Sequence, residues 1–438
     1  MSRVLNLPFD GGIVELRVPD SWTVLAELGP KPMQGLQDVP GALREALEHP
    51  VGCAPLSEAD LRGKKIVLAV DDITRPTPLH RFFPVVVAHL VERGASRADM
   101  TVVHALGIHR PMTAEEVDRK LGAANLQGIR WVNHDSKDWS KLVRLGTTSR
   151  GTEVGLNKHL AEADLVVCLG AIEPHLLLGF GGGLKMIVPG LAHEKTIAQN
   201  HMQGVSPEQF NYIGSESSPM RLDLEEAASM LRKRIFIVNA VMNERLEPGR
   251  FVCGDPVAAH REGVKTVREM AARQVGRRAD IAIVSSSPMD ADLRQGMKCI
   301  GNVEKCVREN GMILGLLACR HGIGDVAMPP KALPHWLLRR ILRLLGKNRI
   351  LWFVDKVKKG AAVEERFMAH FSMQIARKNE LYVWSRKLPS DTGKRLGLFV
   401  QFQDLQAMID RAAKVAPRHA TVYLFPHGGV TYPVVAGP

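Results

Sequence analysis

The segment Lys65–Val70, KIVLAV, is followed directly by the polar loop 71–78, DDITRPTP, and then by an amphipathic stretch from Leu79 to Arg93. A short β-branched run that leads through a loop into a helical pattern is typical of one βα unit of a parallel sheet. Loops at the carboxyl ends of strands build the ligand sites of open α/β sheets. The acids, threonines and Arg75 of this loop therefore favour ligand contact, with a capped strand-to-helix turn as the structural alternative.

The same alternation of strands and helices continues along the chain. It predicts an α/β fold, with two α/β domains, mainly parallel sheets and a cofactor or substrate cleft between them. A helical pattern over 257–273 precedes the polar stretch 274–278, which places the domain boundary near residue 270 and gives domains 1–270 and 271–438. Further strands are predicted at Thr101–Leu106, Asp164–Gly170, Ile235–Asn239, Asp280–Ser285, Met312–Ala318, Leu381–Trp384, Leu396–Val400 and Thr421–Phe425, and further helices at Thr113–Leu121 and Gln401–Val415.

The positive charge of the chain is concentrated in one segment. The 438 residues include 58 Lys and Arg against 46 Asp and Glu, a net charge of +12. Residues 331–360 hold nine of the basic residues and one acid, Asp355, so this window supplies +8. Its apolar residues recur at helical spacing from Trp336 to Leu345, which predicts an amphipathic helix. The window is interpreted as the solvated face of a packed helix, with a mobile lid and membrane-surface binding as alternatives.

Cysteine usage and the absence of targeting signals favour the cytoplasm. The six cysteines form no CxxC pair, which argues against a zinc ribbon, and several lie in apolar runs where a buried thiol is expected. Residues 1–8 lack the core of a signal peptide, and no apolar run has the length that spans a bilayer. We therefore expect a cytoplasmic protein without a nucleic-acid partner and without stable membrane association.

A histidine and a glycine-rich loop follow two more of the predicted strands. His109 precedes the helix whose capping box is Thr113 and Glu116. The segment 173–185, EPHLLLGFGGGLK, has four glycines within five positions and ends at Lys185. Its spacing meets neither the P-loop nor the GxGxxG pattern. The glycines would allow close approach of a phosphate, and a desolvated Lys185 would be nucleophilic.

Two smaller clusters lie further along the chain. In Asn200-His201, a neutral imidazole is a possible metal ligand, although the spacing alone is a weak signal. Arg294, Gln295 and Lys298 open a predicted helix, and Gln295 and Lys298, three residues apart, share a face. An amide and cations suit a carboxylate, and a solvated helix face is the structural alternative.

Together and in this order, the motifs resemble the nickel-dependent lactate racemase family over essentially the whole chain. The resemblance is carried by DDITRPTP at 71–78, the His109 loop, the segment ending at Lys185, the Asn200-His201 pair and the Gln295/Lys298 pair. It implies two α/β domains around a cleft that holds a nickel-pincer nucleotide, nickel pyridinium-3,5-bisthiocarboxylic acid mononucleotide. It also implies an isomerase, a racemase or epimerase of a small 2-hydroxy carboxylate, and a dependence on the enzymes that make this cofactor.

The resemblance assigns a role to each matched residue. In that mechanism, C2 of the substrate delivers hydride to the cofactor while a histidine takes the hydroxyl proton, which gives a planar 2-oxo acid. The residues so implied are His109 and His175 as alternate acid/bases, Lys185 as the covalent attachment, His201 as the nickel ligand, Arg75, Gln295 and Lys298 for the substrate, and Asp72, Thr74, Gly179, Gly181, Gly182 and Gly183 for the cofactor.

The chain departs from the family pattern at a few positions. Gly181 stands where the family often has Ser, Leu184 where it often has Arg, and Arg294 where lactate-type members have Tyr. Arg294 would attract a second anionic or polyhydroxy group, so a dicarboxylic or sugar 2-hydroxy acid is expected in place of lactate. A nicotinamide-linked oxidoreductase predicts a Rossmann fingerprint, which the sequence lacks. A small-anion-binding homologue without catalysis is the other alternative, and the retained histidines and Lys185 argue against it.

Overall fold

The chain divides into two compact units that are not continuous in sequence. The computed structural model describes residues 2–206, 208–324, 326, 328–329, 333–357 and 363–436. One unit, here the middle unit, consists of Pro32–Gly204 and Ser215–Glu269. The other, the terminal unit, consists of Met1–Lys31, Val205–Gly214 and Met270–Pro438.

The described residues alternate between strands and helices along most of the chain. The strands are β1 Ser2–Phe9, β2 Gly12–Pro19, β3 Thr23–Glu27, β4 Ile66–Val70, β5 Met100–His104, β6 Arg130–Asn133, β7 Leu142–Thr147, β8 Glu153–Asn157, β9 Leu165–Ile172, β10 Pro174–His175, β11 Gly179–Phe180, β12 Arg234–Met242, β13 Pro248–Gly254, β14 Ala272–Val275, β15 Ala279–Ser285, β16 Val307–Leu316, β17 Glu380–Trp384, β18 Val400–Phe402, β19 Thr421–Phe425 and β20 Tyr432–Val435. The α-helices are α1 Val39–Glu48, α2 Leu79–Glu92, α3 Ala114–Leu121, α4 Lys158–Glu162, α5 Glu194–Met202, α6 Pro219–Ser229, α7 Ala258–Ala271, α8 Leu293–Gly296, α9 Lys298–Val303, α10 His335–Leu345, α11 Ile350–Val357, α12 Val363–Lys378, α13 Thr392–Leu396 and α14 Leu405–Val415.

The middle unit is built on a six-stranded sheet in the order β13-β12-β9-β4-β5-β6. All neighbours are parallel except β12 and β13. Every residue of β4 is buried, as expected for a parallel strand that is covered on both faces. Apolar side chains of α1, α2 and α3 form the core on one of those faces. Because β4, β5 and β9 run in the same direction, the loops that follow them lie at one edge of the sheet.

The terminal unit has its own six-stranded sheet, in the order β18-β17-β16-β15-β19-β3. Each neighbouring pair of its strands is parallel. The hairpin β1–β2 and helix α14 supply apolar side chains to one core with this sheet. The segment from residue 1 to 31 therefore belongs with the C-terminal half, because β3 pairs with β19 and the hairpin covers the same sheet.

The predicted α/β class with mainly parallel sheets is confirmed. The compact units change at Met270, and residues 1–31 and 205–214 lie in the terminal unit; the division into domains 1–270 and 271–438 stays a prediction. The strand predicted at Leu396–Val400 is wrong in its bounds. Leu396 ends helix α13, left-handed Gly397 stops that helix, and the strand begins at Val400.

The basic window contains the predicted amphipathic helix, α10, and then α11. Its residues 331–332 and 358–360 lie outside the described part of the chain. All six cysteines are free thiols and five of them are buried, as their apolar surroundings in the sequence suggested. Among the described helices, none has the length and apolar character needed to cross a membrane.

Candidate active site

The loop after β4 joins a buried carboxylate to the histidine of the loop after β5. Asp72 Oδ1 accepts hydrogen bonds from the backbone N–H of Thr74 at 2.7 Å and from the Thr74 hydroxyl. Asp72 Oδ2 lies 2.6 Å from Nδ1 of His109, whose ring is half-buried. An ionised carboxylate only accepts, so Nδ1 of His109 carries a proton. The neutral ring therefore has its lone pair on Nε2.

The contacts with His109 and with neighbouring groups keep the carboxyl group of Asp72 ionised. Burial by itself would raise the pKa of this carboxyl group, but the hydrogen bond and charge of His109, the charge of Arg75 and the Thr74 hydroxyl outweigh that effect and hold the pKa of Asp72 well below its ordinary range. Asp72 is therefore charged throughout the pH range in which an imidazole exchanges its proton.

A lysine from α3 also holds the loop that follows β4. Lys120 is buried, and its ammonium group forms an ion pair with Asp71 Oδ1 at 2.7 Å and donates to the carbonyl of Arg75 at 2.8 Å and to the carbonyl of Thr77 at 3.0 Å. Asp71 also accepts from the Thr77 hydroxyl at 2.5 Å. Burial raises the pKa of Asp71, against the opposing charge of Lys120. Two hydrogen bonds and one ion pair of the ammonium group thus hold the loop that carries Arg75.

Arg75 meets an acid from the loop after β9. Its Nη1 lies 3.7 Å from Oε1 of Glu173, and both side chains are half-buried. A guanidinium has five N–H donors in a fixed fork, so one loose ion pair leaves the group able to bind a carboxylate in addition. Glu173 was not selected as a site residue from the sequence, although it is the first residue of the segment 173–185 that includes His175.

His175 is held in the opposite way to His109. It belongs to the two-residue strand β10, which pairs antiparallel with β11. Its Nδ1 accepts from the backbone N–H groups of Leu177 at 3.3 Å and Leu178 at 3.2 Å. Because Nδ1 accepts, the proton of the neutral ring is on Nε2. The two histidines therefore present a lone pair in one case and an N–H in the other.

The glycines of the 179–183 loop have a packing reason in the protein itself. A Cβ atom on Gly179, where φ is +75°, would lie 1.7 Å from the carbonyl oxygen of Ser215. A Cβ on Gly182 would meet the carbonyl oxygen of Ala171 at 2.8 Å. Side chains at both positions are excluded because backbone atoms cannot move aside.

Buried polar side chains from three other elements hold this loop. The N–H of Gly183 donates to Asn239 Oδ1 at 2.7 Å, and His260 Nε2 donates to the carbonyl of Gly181 at 2.8 Å. Arg221, which is fully buried, donates to the carbonyl of Phe180. Lys185 follows in a short 3₁₀ turn, Gly183–Met186, half-buried between two buried neighbours. These hydrogen bonds thus hold the loop that leads into Lys185.

Asn200 and His201 have different tasks, although they are adjacent on α5. Asn200 is buried and donates to Asp223 Oδ2 at 2.7 Å and to the carbonyl of Met220 at 3.1 Å, so it ties α5 to α6. His201 donates from Nδ1 to the carbonyl of Ile197 at 2.8 Å, which places the lone pair of the neutral ring on Nε2. That is the tautomer in which metal-binding histidines are usually held.

Arg294, Gln295 and Lys298 lie in the terminal unit, at the carboxyl end of β15. The helix predicted there is divided into α8 and α9 at Met297. Asp292 begins it by accepting from the backbone N–H of Gln295 at 2.8 Å. Gln295 is buried, whereas Arg294 and Lys298 are half-buried. Of the residues predicted from the sequence, Asp72, Arg75, His109, His175, Lys185 and His201 belong to the middle unit, and Arg294, Gln295 and Lys298 to the terminal unit.

Comparisons with known proteins agree on one family. A family model described as the lactate racemase N-terminal domain matches residues 9–211. The lactate racemases of Thermoanaerobacterium thermosaccharolyticum and Lactiplantibacillus plantarum are 31% identical over 285 residues and 33% identical over 286 residues. These matches support the lactate racemase family for this chain. Each alignment covers 64% of this chain and 66% of the relative, just short of two thirds of the relative's length.

Solved structures extend the likeness of fold over essentially the whole chain. The lactate racemase apoprotein from Thermoanaerobacterium thermosaccharolyticum matches with a TM-score of 0.83 and 24% identity, over 99% of this chain and 100% of that chain. A Thermotoga maritima protein matches with a TM-score of 0.66 and 19% identity, over 92% and 100%. At these sequence identities, the two structures support a similarity of fold alone.

Sequence patterns alone missed the residues that support the candidate site. Lys120 could have been found, because it is a cation within the apolar stripe of α3, next to the buried Leu121. His260 and Arg221 carry no such signal, since their partners are backbone carbonyls of Gly181 and Phe180, far away in sequence.

Proposed function

We propose that the protein is a nickel-dependent racemase or epimerase of a 2-hydroxy acid. The observation that carries the proposal is the pair of histidines in opposite tautomers, His109 with its lone pair on Nε2 and His175 with its proton there. A racemase must accept a proton from one hand of the substrate and give a proton to form the other hand. Two imidazoles at one sheet edge, one neutral as the base and one protonated as the acid, meet that need.

The proton steps follow from these tautomers. Nε2 of His109 takes the hydroxyl proton of one enantiomer while the C2–H bond breaks with both its electrons, which leaves a planar 2-oxo acid. His175, charged as an imidazolium, then donates its Nε2 proton to the carbonyl oxygen when hydrogen returns to the other face of C2, and is left as a neutral ring. Asp72 stabilises the imidazolium that His109 becomes. For the other enantiomer the charge states are exchanged, with neutral His175 as the base and the imidazolium of His109 as the acid.

The residues of the middle unit fit the nickel-pincer nucleotide. Lys185 would carry the covalent link, His201 would ligate nickel through Nε2, and the loop of Asp72, Thr74 and the glycines would bind the nucleotide. Within the described part of the chain no three His, Cys, Asp or Glu side chains form a metal site, so one histidine fits a metal whose other ligands belong to a cofactor. When bound, this group would supply an electrophilic centre that takes hydride from C2 and returns it.

The substrate is proposed to be a dicarboxylic or sugar 2-hydroxy acid. Arg75 offers a planar donor fork for the C1 carboxylate, and Gln295 and Lys298 offer an amide and a cation from the terminal unit. Arg294 adds a third cation beside them, half-buried on α8. The methyl group of lactate cannot bind that cation, whereas a second carboxylate or a hydroxyl group can.

Racemisation in D2O tests this function. The protein is co-expressed with the cofactor-making enzymes, and single enantiomers of 2-hydroxy acids are followed by chiral separation and mass spectrometry. Hydrogen that moves as hydride stays on C2, so the product formed early is expected without deuterium. Deuterium at C2 would instead indicate removal as a proton and would overturn the hydride mechanism. No racemisation of any 2-hydroxy acid by cofactor-loaded protein would overturn the function.

Variants of the two histidines sharpen the experiment. His109→Asn and His175→Asn are each expected to lower kcat by about 100-fold or more, because each removes one acid/base group. His80→Asn is the matched control, since His80 is an exposed histidine at the start of α2. Activity that survives both substitutions would contradict the two-base proposal.

A further inference from the structure

Exposed apolar side chains are concentrated on α10 and α11 of the terminal unit. Leu344 is 80% exposed, Trp336 65%, Val357 59% and Trp352 56%. These are four of the five most exposed large hydrophobic side chains in the described part of the chain, and the fifth, Ile13 at 78%, lies far away in sequence on β2. Single exposed apolar residues are common, whereas a concentration of large ones marks an interaction surface.

Exposed cations alternate with these apolar side chains. Trp336, Arg340 and Leu344 follow one another at four-residue spacing and therefore share one face of α10, with Arg343 beside them. On α11, the Lys356 ammonium lies 6.0 Å from the centre of the Trp352 ring. Residues 333–357 contain one acid, Asp355, which accepts from Arg366 Nε at 2.8 Å. We name this surface the basic–apolar face; it comprises Trp336, Arg340, Arg343, Leu344, Lys347, Arg349, Trp352, Lys356 and Val357.

Helix α12 lies under both helices. Arg339 of α10 donates to the carbonyl of Ala376 at 3.1 Å, and Gln374 donates to the carbonyl of Lys347 at 3.0 Å. Leu338 and Leu342 of α10 and Val354 of α11 are buried. The sides of α10 and α11 that carry the basic–apolar face are thus turned away from their own core.

We propose that the basic–apolar face docks reversibly on the surface of an anionic lipid bilayer. Tryptophan and leucine enter the boundary between headgroups and acyl chains, while arginine and lysine pair with anionic headgroups, which is the composition of interfacial helices. This binding is peripheral, and it adds a partner to those expected from the sequence, where only stable membrane association was excluded.

Charge and chemistry favour this occupant over others. A second copy of the chain would bring one cationic surface against another, because a two-fold interface is self-complementary. Nucleic acid would match the cations, but it offers nothing to aliphatic side chains such as Leu344 and Val357. An anionic bilayer complements both components.

Co-sedimentation of the full chain with vesicles tests the proposal. Binding is expected to phosphatidylcholine vesicles that contain phosphatidylserine, with weaker binding in high salt, and little binding to phosphatidylcholine alone. Replacing Arg340, Arg343 and Lys347 together by Gln is expected to weaken binding roughly 100-fold. Trp336→Ala combined with Leu344→Ala is expected to weaken it roughly tenfold. Ile13→Ala removes an equally exposed apolar side chain elsewhere and is expected to bind like the unchanged protein.

Three outcomes would overturn the proposal. The first is no binding to vesicles that contain phosphatidylserine. The second is binding that the charge and apolar variants leave unchanged, which would place the contact elsewhere. The third is binding to duplex DNA that is tighter than binding to vesicles and is lost only in the charge variant. Circular dichroism of each variant establishes that the substitutions, which are all on exposed side chains, leave the fold intact.

Discussion

Asp72 Oδ2 and His109 Nδ1 lie 2.6 Å apart, so a buried carboxylate orients one of the two proposed acid/base histidines. Asp72→Asn keeps an oxygen for the Thr74 hydrogen bonds but puts a donor against a donor at His109. We expect kcat to fall by about 100-fold or more, with KM changed less than about threefold, because the ring loses its tautomer and the imidazolium loses its counter-charge. Steady-state kinetics of cofactor-loaded protein measure both values. Equal losses of stability and of every kinetic parameter would point to a structural role instead.

Lys120 and Asp71 form a buried ion pair. The free energy of unfolding is therefore expected to depend strongly on whether one or both of these charges are present. Lys120→Met leaves the Asp71 carboxylate buried without its cation, and we expect a loss of about 3 to 5 kcal/mol in the middle unit. Adding Asp71→Asn removes the buried charge and is expected to restore a large part of that loss. Urea denaturation of the single and double variants measures this. Lys141→Met, at an exposed ion pair with Asp135, is the control and should leave the urea midpoint nearly unchanged. Additive losses in the double variant would contradict the interpretation.

The buried side chain of His104 is expected to make the folded protein less stable as the pH falls. It is fully buried at the end of β5, neither ring nitrogen has a hydrogen-bond partner among the described residues, and burial lowers its pKa to about 4. Between that value and its ordinary pKa of 6.5, the unfolded chain binds a proton that the folded chain excludes. Stability is therefore fully present above about pH 6.5 and falls as the pH drops through this window, by roughly 1.4 kcal/mol per pH unit at most.

His104→Leu removes this titration. We expect the stability difference between pH 7 and pH 5 to be smaller in the variant by roughly 1 to 2 kcal/mol. Urea denaturation at both pH values gives the comparison, with His80→Leu as a control for the removal of an exposed histidine. An unchanged difference in His104→Leu would show that His104 takes up its proton without unfolding.

Arg294 is expected to determine which 2-hydroxy acid the protein prefers. We expect the unchanged protein to prefer malate-like or sugar acids to lactate, and Arg294→Tyr to shift the ratio of kcat/KM values towards lactate by roughly tenfold, because the second polar group loses its cation. A substrate panel on both proteins measures this ratio. Equal rates on lactate and malate that the substitution does not change would refute the role of Arg294.

The strands that carry the site could be predicted from the sequence because each is a short β-branched run that ends at polar residues. The predicted ends of the strands before Asp71 and before the His109 loop lie within two residues of Val70 and His104. The capping box of Thr113 and Glu116 is likewise present at the start of α3. Local patterns of this kind are set by hydrogen bonds and burial within a few residues.

Long-range pairings could not be predicted. The pairing of β3 with β19 joins segments about 400 residues apart, and no feature of Thr23–Glu27 alone specifies its partner. The glycines at 179–183 were interpreted as room for a phosphate, whereas Gly179 and Gly182 are required by the carbonyl groups of Ser215 and Ala171. A sequence shows where a side chain is missing, but only the fold shows which atoms fill that space.

The central claim, a lysine-tethered nickel cofactor in a 2-hydroxy-acid racemase, is tested most directly at Lys185. The protein is co-expressed with the cofactor-making enzymes, and its intact mass, its Lys185 peptide and its nickel content are measured. We expect a mass increase on Lys185 with stoichiometric nickel, no adduct in Lys185→Ala, and an adduct with much less nickel in His201→Ala. Racemisation of a 2-hydroxy acid by protein with unmodified Lys185 and without nickel would contradict it.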